Sequence, residues 1–418
     1  LLASQAIGKS KAYNLLRSED VLNTLRGLKK LGVKIKLYKN YCEIFGVGIN
    51  GFKYKKNLTI DAGNSGTFGR LILALLIKSP FKIKLIGDKS LSSRDFSRVI
   101  NPLKEFGANF YPKNKSKLPF YIQGSNFIRP INYFEKKGSA QIKSCIMLAS
   151  LNAPGATKIN AKKSRNHTEI LYKFLKLPIT VTKRKKIDLI EINGEKKIYP
   201  FNYSIPSDIS SSAFFIVLTL LSKKSRLVIK NVNVNSSRTG CISILNKMGA
   251  NIIFKNKKKY NGEKTADIHI RSKNSFKAIN CPTKYNTSAI DEFLVIFLVA
   301  AKAKGISYFK DLEELNQKES PRLKVGSKIL NMIGIKTKLT KSSIKIYGNP
   351  NLELNKSFEI KNYLKDHRVM ALSTIAALTL GGKMWKIHNP ESINTSFPSF
   401  FKILKSLGAR INWKKEKI

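Results

Sequence analysis

The sequence predicts an α/β protein of two domains, each made of three βαβαββ-like units around buried, parallel helices, in the manner of an inside-out α/β barrel. Three observations lead to this prediction. An amphipathic helix that ends at glycine recurs along the chain, a short apolar helix recurs with it, and 418 residues suffice for more than one core. Three units per domain place the boundary near Pro206, with domains at 1–206 and 207–418.

The amphipathic helices are recognised by their ends. Each has a helical spacing of apolar residues and runs through glycine into a strand, as expected when a left-handed glycine terminates a helix. The ends are Leu31-Gly32-Val33, Phe106-Gly107-Ala108, Met248-Gly249-Ala250, Ile333-Gly334-Ile335 and Leu407-Gly408-Ala409, with Leu177-Pro178-Ile179 as a degenerate copy. With Pro178 as the marker of that copy, the ends lie roughly 70–85 residues apart, a longer period than in common solenoids.

The apolar partner helices are apolar on nearly every side. They are predicted at Thr67–Ile77, Gln141–Ser150, Ser211–Leu221, Glu292–Ala303 and His367–Leu380, with Leu1–Ala6 as the stub of another. Helices of this kind belong in a protein interior, and these are shorter than the roughly 20 residues of a membrane span.

The starts of these helices are polar, which is unusual for core helices. They open with Gly63-Asn64-Ser65-Gly66-Thr67, Gly138-Ser139-Ala140-Gln141, Ser207-Asp208-Ile209-Ser210, Ile290-Asp291-Glu292 and Lys365-Asp366-His367-Arg368. One interpretation is simple capping of free backbone amides. Because the helices must lie side by side, their starts would also meet at one end of each domain, where amides and helix dipoles favour anions. A small polyanion is then the expected ligand.

The formal charge of +51, from 77 basic and 26 acidic residues, raises the question of nucleic-acid binding. Lysine is scattered over every segment, and the densest runs, Lys183–Lys186 and Lys257–Lys259, fall in stretches that resemble hairpin turns. No basic stripe is interleaved with aromatic residues. Lysines on solvated faces, together with a general drift of the composition, therefore explain the charge better than a dedicated nucleic-acid surface does. Four dispersed cysteines and four dispersed histidines indicate neither disulfides nor a metal site, and a reducing, cytoplasmic setting fits.

The densest cluster with catalytic character is Lys318-Glu319-Ser320-Pro321-Arg322. Pro321 suits the first turn of a helix, so Lys318 and Glu319 would lie at or before its start. Local ion pairing at a solvated helix entrance is the alternative. Other charged groups favour a site: they are Arg70, Arg94, Arg165 and Asp366-His367-Arg368. Guanidinium groups match phosphate and carboxylate oxygens in bidentate fashion.

Taken in order, these segments resemble the successive motifs of the 5-enolpyruvylshikimate-3-phosphate synthase family. The segments are Gly63–Arg70, Ser92–Gly107, Ser139–Cys145, Ser164–Glu169, Pro206–Phe215, Arg238–Ala250, Ile290–Glu292, Lys318–Arg322, Asp366–Arg368 and Ser396–Gly408. The resemblance implies two three-repeat domains that close on substrate. It also implies transfer of the enolpyruvyl group of phosphoenolpyruvate to the 5-hydroxyl of shikimate 3-phosphate, with release of phosphate. We expect a cytoplasmic monomer without metal or organic cofactor, and without nucleic-acid or membrane partners.

The resemblance also implies residue roles. The acid/base and charge-stabilising groups would be Asp291, Glu319 and Lys318. Phosphoenolpyruvate would be bound by Asn64, Gly66, Arg94, Gln141, Arg322 and Arg368. Shikimate 3-phosphate would be bound by Ser139, Ala140, Gln141, Ser164, Arg165, Asp291 and Lys318. His367 would join the proton relay or orient Asp366. In this family, glycine at the position of Gly66 is associated with sensitivity to glyphosate, whereas alanine there is associated with tolerance.

The chain departs from the family pattern at three places. The family begins with a Lys-Ser pair and an Arg that bind both substrates, and these would precede Leu1. We therefore expect this sequence to be a fragment, active when complete and poor in turnover alone. Many relatives have lysine at the position of Thr395, and Pro321 replaces an aspartate.

Three alternative hypotheses about the function compete with the resemblance to 5-enolpyruvylshikimate-3-phosphate synthase. UDP-N-acetylglucosamine enolpyruvyl transferase shares the repeat architecture, but it uses a loop cysteine, and the loops around Arg94 and Lys113–Lys117 contain none. A basic RNA-binding protein on a related repeated fold would explain the charge but not the Lys318–Arg322 and Asp366–Arg368 clusters. A non-catalytic relative that keeps the scaffold would not explain the retained carboxylates.

Overall fold

The computed structural model describes residues 1–412. Its elements follow the predicted units, and the α/β fold class is confirmed. The first unit has a 3₁₀ helix at Leu2–Gln5, β1 (Ile7–Tyr13), α1 (Glu19–Lys30), β2 (Lys34–Leu37) and β3 (Tyr41–Val47). The second has β4 (Thr59–Asp61), α2 (Gly66–Leu75), β5 (Ile83–Ile86), α3 (Lys89–Ser92), α4 (Ser97–Phe106), β6 (Asn109–Tyr111) and β7 (Phe120–Gln123). The third has β8 (Asn132–Glu135), α5 (Ala140–Ser150), β9 (Ala156–Lys162), α6 (His167–Phe174), β10 (Ile179–Lys183) and β11 (Ile187–Asn193).

The second half of the chain repeats the plan. After β12 (Asn202–Ser204), the fourth unit has α7 (Ile209–Leu221), β13 (Arg226–Asn233), α8 (Gly240–Lys247), β14 (Ile252–Tyr260) and β15 (Glu263–Arg271). The fifth has β16 (Phe276–Lys277), a 3₁₀ turn at Thr283–Tyr285, α9 (Asn286–Ala289), α10 (Phe293–Ala301), β17 (Ala303–Phe309), a 3₁₀ helix at Glu313–Gln317, α11 (Arg322–Met332), β18 (Thr337–Leu339) and β19 (Ile344–Gly348). The sixth has β20 (Ser357–Ile360), α12 (His367–Leu380), β21 (Met384–Ile387), a 3₁₀ helix at Pro390–Thr395 and α13 (Phe400–Ser406).

Each four-stranded sheet has one parallel edge and two antiparallel pairings. The orders are β12-β1-β3-β2, β4-β5-β7-β6, β8-β9-β11-β10 and β16-β17-β19-β18. The fourth unit has β13-β15-β14 with a parallel bridge from Ser207 to Val232, and the sixth has the parallel pair β20-β21 within the described residues. In the second to sixth units the parallel pair flanks the apolar helix, which is the arrangement of a βαβ crossover, whereas in the first unit β1 pairs with the distant β12.

The buried apolar side chains form two separate clusters. One runs from Leu2 to Ile198 and contains α2 and α5, and the other runs from Ile209 to Leu404 and contains α7, α10 and α12. Burial of these helices removes their apolar surface from water on nearly every side, as their composition predicted. The two clusters agree with two domains, although the exact boundary at 206 remains a prediction.

The helices α2 and α5 run parallel. Gln141 Nε2 donates to Thr67 Oγ1 at 2.9 Å, and one turn later Cys145 Sγ contacts the carbonyl of Arg70 at 3.5 Å. Because both helices advance together between these contacts, their starts lie side by side. This places the polar starts of two buried helices at the same end of the first core.

Four local predictions are wrong. Leu1–Ala6 is a 3₁₀ turn and not an α-helical stub. Lys257–Lys259 lie on β14 rather than in a turn, because the hairpin turns at Asn261-Gly262. Pro321 precedes the first residue of α11 instead of lying in its first turn. In the degenerate copy of the helix end, which lies in the third unit, the left-handed residue is Lys176 with φ 55°, two residues before the predicted marker Pro178.

Candidate active site

Polar helix starts from both cores meet in one cleft. Ser65 and Ser139 cap α2 and α5, and their hydroxyls accept from Phe68 N at 3.2 Å and Ile142 N at 3.4 Å. From the second core, Asp366 caps α12 through the backbone N–H of Arg368 at 3.0 Å. The capping interpretation is therefore correct for these side chains. The remaining amides and the dipoles of these helices still favour anions in the cleft.

Asp291, two residues before the start of α10, lies at the centre of the cleft. Lys318 Nζ lies 3.2 Å from its Oδ1, and Arg322 Nη1 lies 3.3 Å from the same oxygen. Arg165, from the first core, pairs with its Oδ2, and Arg368 Nη1 donates to its backbone carbonyl at 2.9 Å. Burial alone would raise the pKa of the Asp291 carboxyl, but these cations outweigh it and hold the pKa well below its usual range.

The second carboxylate, Glu319, bridges the two cores. Arg94 Nη1, from the first core, lies 3.4 Å from Glu319 Oε1, and Arg322 pairs with Oε2. Burial opposes ionisation of Glu319, but Arg322 and Arg94 lower its pKa strongly. Arg322 is 1% exposed, and its Nε also lies 2.9 Å from Asp366 Oδ2, which accepts from Ser320 Oγ at 2.8 Å. This buried guanidinium is fully paired, as its burial requires.

The predicted phosphoenolpyruvate residues of the first core lie together around the start of α2. Arg94 Nη2 donates to Asn64 Oδ1 at 3.4 Å, and Gln141 Oε1 accepts from Arg70 Nη1 at 2.9 Å. A Cβ built on Gly66 would lie 2.9 Å from Arg70 Nη1 and 3.1 Å from Arg94 Nη1. Glycine thus leaves room for two guanidinium groups at the helix start. Burial, with Arg94 close by, lowers the pKa of Arg70 to about 10, so that group stays cationic.

The predicted shikimate 3-phosphate residues of the first core lie where α5 and α6 begin, and Asp291 and Lys318 face them from the second core. Buried contacts tie these helices together, since Lys143 Nζ lies 2.5 Å from Glu169 Oε1 and Ser144 Oγ lies 2.7 Å from Thr168 Oγ1. The ends that carry Ser139, Ala140, Ser164 and Arg165 are therefore neighbours. The Ser164 hydroxyl is buried without a hydrogen-bond partner among the described residues, so it is free to bind a ligand oxygen.

His367 begins α12 beside this cluster. Burial, reinforced by Arg368 on one side and opposed by Asp366 and Glu319, lowers the pKa of His367 to about 4. The imidazole is therefore neutral at neutral pH. The Asp366 carboxylate is held by Ser320, Arg322 and the Arg368 amide, so its orientation does not depend on the histidine.

Sequence reasoning missed Asp20, in the first turn of α1. Burial raises its pKa to about 6, with Glu319 adding to the rise and with Arg94 and a hydrogen bond from Ser65 opposing it. Its position beside Glu319 and Arg94 makes it a fourth carboxyl group of the cleft. In the sequence, Ser18-Glu19-Asp20 reads as an ordinary acidic helix start, which gave no signal for this role.

Among the described residues, no group of three or more histidine, cysteine or acidic side chains could hold a metal ion. The four cysteines are buried thiols. None of the described helices has the length and apolar character that crossing a bilayer demands.

Comparison with known proteins gives one consistent result. A profile described as EPSP synthase (3-phosphoshikimate 1-carboxyvinyltransferase) matches residues 1–404. The chain belongs to the EPSP synthase family. The 3-phosphoshikimate 1-carboxyvinyltransferase of Ruthia magnifica subsp. Calyptogena magnifica is 39% identical over 414 residues, which cover 99% of this chain and 92% of that protein. The enzyme of that name from Streptococcus pyogenes serotype M1 is 35% identical and covers 97% of this chain and 92% of its own length.

Solved structures agree with the family assignment. An EPSP synthase from Acinetobacter baumannii superposes with a TM-score of 0.83 at 32% identity, over 99% of this chain and 93% of that one. The enolpyruvyl transferase NikO from Streptomyces tendae shares the fold, with a TM-score of 0.74 at 12% identity, over 98% and 91% of the chains. The predicted EPSP synthase resemblance and two-domain enolpyruvyl transferase fold are therefore confirmed, and the chain is of the transferase class.

Proposed function

We propose that this protein transfers the enolpyruvyl group of phosphoenolpyruvate to the 5-hydroxyl of shikimate 3-phosphate, in the cleft centred on Asp291. One observation carries the proposal. Lys318, Arg322 and Arg165, drawn from both cores, converge on a single carboxylate, while Arg94 crosses the same cleft to Glu319. Such a density of cations suits two phosphorylated substrates and a crowded anionic intermediate.

Phosphoenolpyruvate would occupy the side of the cleft beside α2 and α12. Arg94 and Arg368 bind its phosphate and carboxylate, with the amides around Asn64 and Gly66 and the side chain of Gln141 assisting. Arg322 pairs with three carboxylates, those of Asp291, Glu319 and Asp366. It contributes by holding those carboxylates in place and by presenting its positive charge to the substrate.

Shikimate 3-phosphate would occupy the adjacent side, at the starts of α5 and α6. Ser139, the Ala140 amide and the Ser164 hydroxyl, which has no hydrogen-bond partner within residues 1–412, bind its phosphate together with Arg165. Its hydroxyls then approach Asp291 and Lys318. Arg165 must exchange part of its contact with Asp291 for substrate oxygens, which weakens the stabilisation of the carboxylate.

That exchange sets up the acid/base chemistry. In the addition step, Asp291 accepts the proton of the 5-hydroxyl, and the hydroxyl oxygen bonds to C2 of phosphoenolpyruvate. The methylene carbon C3 takes a proton from a carboxyl group, which we assign to Glu319. Arg94 lowers the pKa of Glu319, and the transfer of Arg94 to phosphoenolpyruvate removes that effect, so that Glu319 can take up the proton that it delivers. In the elimination step, the C2–phosphate bond breaks, and phosphate leaves with its electron pair and takes the proton from Asp291. C3 returns a proton to the Glu319 carboxylate, which restores the double bond. Lys318 stabilises the negative charge that develops on the shikimate side.

The cellular setting and assembly are part of the proposal. We infer a cytoplasmic monomer that does not bind nucleic acid, and buried cysteines kept as thiols suit a reducing compartment. Sedimentation velocity with and without a generic RNA tests first the monomeric state and second the absence of nucleic-acid binding. A shift of the boundary on adding RNA at moderate salt would refute the second of them.

The reaction is tested by phosphate release from the complete protein supplied with both substrates. Turnover should require both of them, and Asp291→Asn should lower kcat by about 10²–10⁴-fold, the usual contribution of a general base. Lys341→Gln, which alters an exposed pair of Lys341 with Glu313 at 3.7 Å, is the matched control and should keep full activity. Failure of the wild-type protein to release phosphate would refute the proposed reaction.

A further inference from the structure

Away from the anion-binding cleft, the β14–β15 hairpin of the second core reaches the first core and packs on α6. Gly262, at the tip of this hairpin, has φ +84°, and a Cβ at that position would lie 2.9 Å from Ile170 Cγ2. Glycine therefore serves two purposes, since it adopts the left-handed turn conformation and permits close approach to the helix. The contact joins a strand pair and a helix from different cores.

A polar network lies beside this contact. Glu263, the first residue of β15, is 3% exposed, and His167 Nδ1 lies 2.5 Å from its Oε1. Asn235 Nδ2 donates to Glu263 Oε2 at 3.1 Å and to Asn166 Oδ1 at 2.8 Å. Ser237 Oγ donates to Asn235 Oδ1 at 2.8 Å, which fixes the amide. The two residues that start α6 are thus both held by side chains of the second core.

The charge of Glu263 makes this network strong. Burial would raise the pKa of this carboxyl, but hydrogen bonds from His167, Asn233 and Asn235 lower it, so the group is an anion. A buried anion that loses its hydrogen-bond partners destabilises the protein by its full desolvation energy. When its partners are present, the same anion fixes the geometry of the groups that donate to it. The carboxylate therefore locks the position of the His167 ring.

The segment that the network holds leads directly into the cleft. Ser164 and Arg165 lie three and two residues before His167, and Arg165 also contacts the second core, through Asp291. In the proposed reaction, Arg165 gives up part of that contact to the substrate. The network at Glu263 is then what keeps the segment in position.

We propose that Glu263 is a positioning residue for the phosphorylated acceptor: through His167 and, by way of Asn235, Asn166, it holds Ser164 and Arg165 where they bind shikimate 3-phosphate. This inference rests on the proposed function. It assigns Glu263 no contact with either substrate. Its effect should fall on acceptor binding, because phosphoenolpyruvate is bound by α2 and α12, which the network does not touch.

The test compares Glu263→Gln and His167→Gln with the wild type in the complete protein. Each variant should raise KM for shikimate 3-phosphate by about tenfold, the effect of losing one hydrogen bond to a charged group. KM for phosphoenolpyruvate and kcat should stay within about twofold of the wild type. The double variant should be no worse than either single variant, because both remove the same contact. His167 is 35% exposed, so His167→Gln keeps the test valid if Glu263→Gln unfolds.

Glu359→Gln is the matched control. It alters another carboxylate–histidine pair, that of the exposed Glu359 with His388 at 2.8 Å, but both residues of this pair belong to the second half of the chain. It should leave both KM values unchanged. Equal increases in both KM values, unchanged KM values, or multiplicative effects in the double variant would each overturn the positioning role. Absence of turnover by the wild type would instead overturn the proposed function, so the two failures are distinguishable.

Discussion

At the scale of single residues, the side chain with most influence on the site is Arg322. Its guanidinium pairs with Asp291, Glu319 and Asp366, which belong to three separate segments of the chain. The opposed charges are buried together, and Arg322 is the main cation that keeps Glu319 and Asp366 ionised, whereas Asp291 is stabilised by Lys318, Arg165 and Arg368 as well. The acid/base groups are therefore positioned before substrate arrives.

Gly66→Ala should reduce sensitivity to glyphosate by roughly tenfold or more, since one methyl group in a tight pocket changes affinity by that order. The new Cβ would lie 3.1 Å from Arg94 Nη1, so that guanidinium must shift. Inhibition constants and KM for phosphoenolpyruvate measure the effect. Gly69→Ala, on the same helix but facing Ala62 and Phe96, is the control. Unchanged inhibition in Gly66→Ala would contradict the hypothesis.

Asp20 makes a pH-dependent contribution to stability. Its pKa in the folded protein, raised to about 6, exceeds its usual value, so the folded state holds this proton more tightly than the unfolded chain. Below the pKa of Asp20 in the unfolded chain, this carboxyl does not lower the free energy of unfolding. Above that pH its destabilising effect grows, until the pH passes the pKa of the folded state. Asp20→Asn should therefore raise the melting temperature increasingly between about pH 4 and pH 6, with a plateau above.

Thermal melts across that pH range check this prediction. Glu19→Gln, which removes an exposed carboxylate from the same helical turn, reports the loss of helix-start charge alone. A melting-temperature difference between Asp20→Asn and the wild type that does not change with pH would show that burial does not govern the ionisation of Asp20.

At the scale of elements, the six units end their amphipathic helices in the same way. In each, the amide after the left-handed residue bonds back to a carbonyl in the last full turn, as in the Schellman motif. These bonds are Val33 to Leu28, Ala108 to Leu103, Leu177 to Tyr172, Ala250 to Leu245, Ile335 to Leu330 and Ala409 to Leu404, at 2.9–3.1 Å. Five copies use glycine, whereas the third uses Lys176.

Lys176→Gly should stabilise the protein by about 0.5–1 kcal/mol, because glycine adopts positive φ without the penalty that a side chain pays there. Gly334→Ala is the reverse change. A Cβ there would meet no atom within 4 Å, so its destabilisation, about 1 kcal/mol, reports backbone strain alone. Denaturant unfolding measures both variants. Destabilisation by Lys176→Gly would show that the lysine side chain stabilises the fold by its contacts.

At the scale of the whole molecule, ion pairs between the two cores hold the cleft in its present geometry. Arg94 and Arg165 make such pairs inside the site, and Arg98 makes one at its rim, with both Nη atoms 3.2 Å from Glu314. Substrate anions compete for the inner pairs but leave the rim pair in place. The rim contact therefore favours closure whether or not substrate is bound.

Arg98→Gln should raise KM for both substrates by about two- to fivefold, the range of a partly exposed ion pair, without changing kcat. The ligand-free protein should also show a larger radius of gyration in small-angle X-ray scattering. Lys158→Gln, which alters the exposed pair with Glu191 at 3.8 Å inside one sheet, is the control. Identical KM values and scattering for Arg98→Gln and the wild type would exclude a role of the rim pair in closure.

The accuracy of the sequence-based predictions depended on the range of the interactions involved. The glycine at 107 and the apolar run of α10 are local signals, and the structure has a left-handed residue and a buried helix there. The end of the third copy was misplaced because Lys176 adopts a left-handed conformation, which a lysine in the sequence does not predict. Lys257–Lys259 were misassigned because the exposed strand is as polar as a turn.

The sequence by itself determined the repeat, the buried helices and the stretches that carry the guanidinium and carboxylate groups, because periodicity, capping and apolar content act over a few residues. Only the tertiary structure decided which charges meet. Arg165 pairs with Asp291 across 126 residues, His167 with Glu263 across 96, and Asp20 joins Glu319 from the opposite core. Coulomb attraction is long-ranged and has no sequence period, so these partners are selected by how the two cores pack.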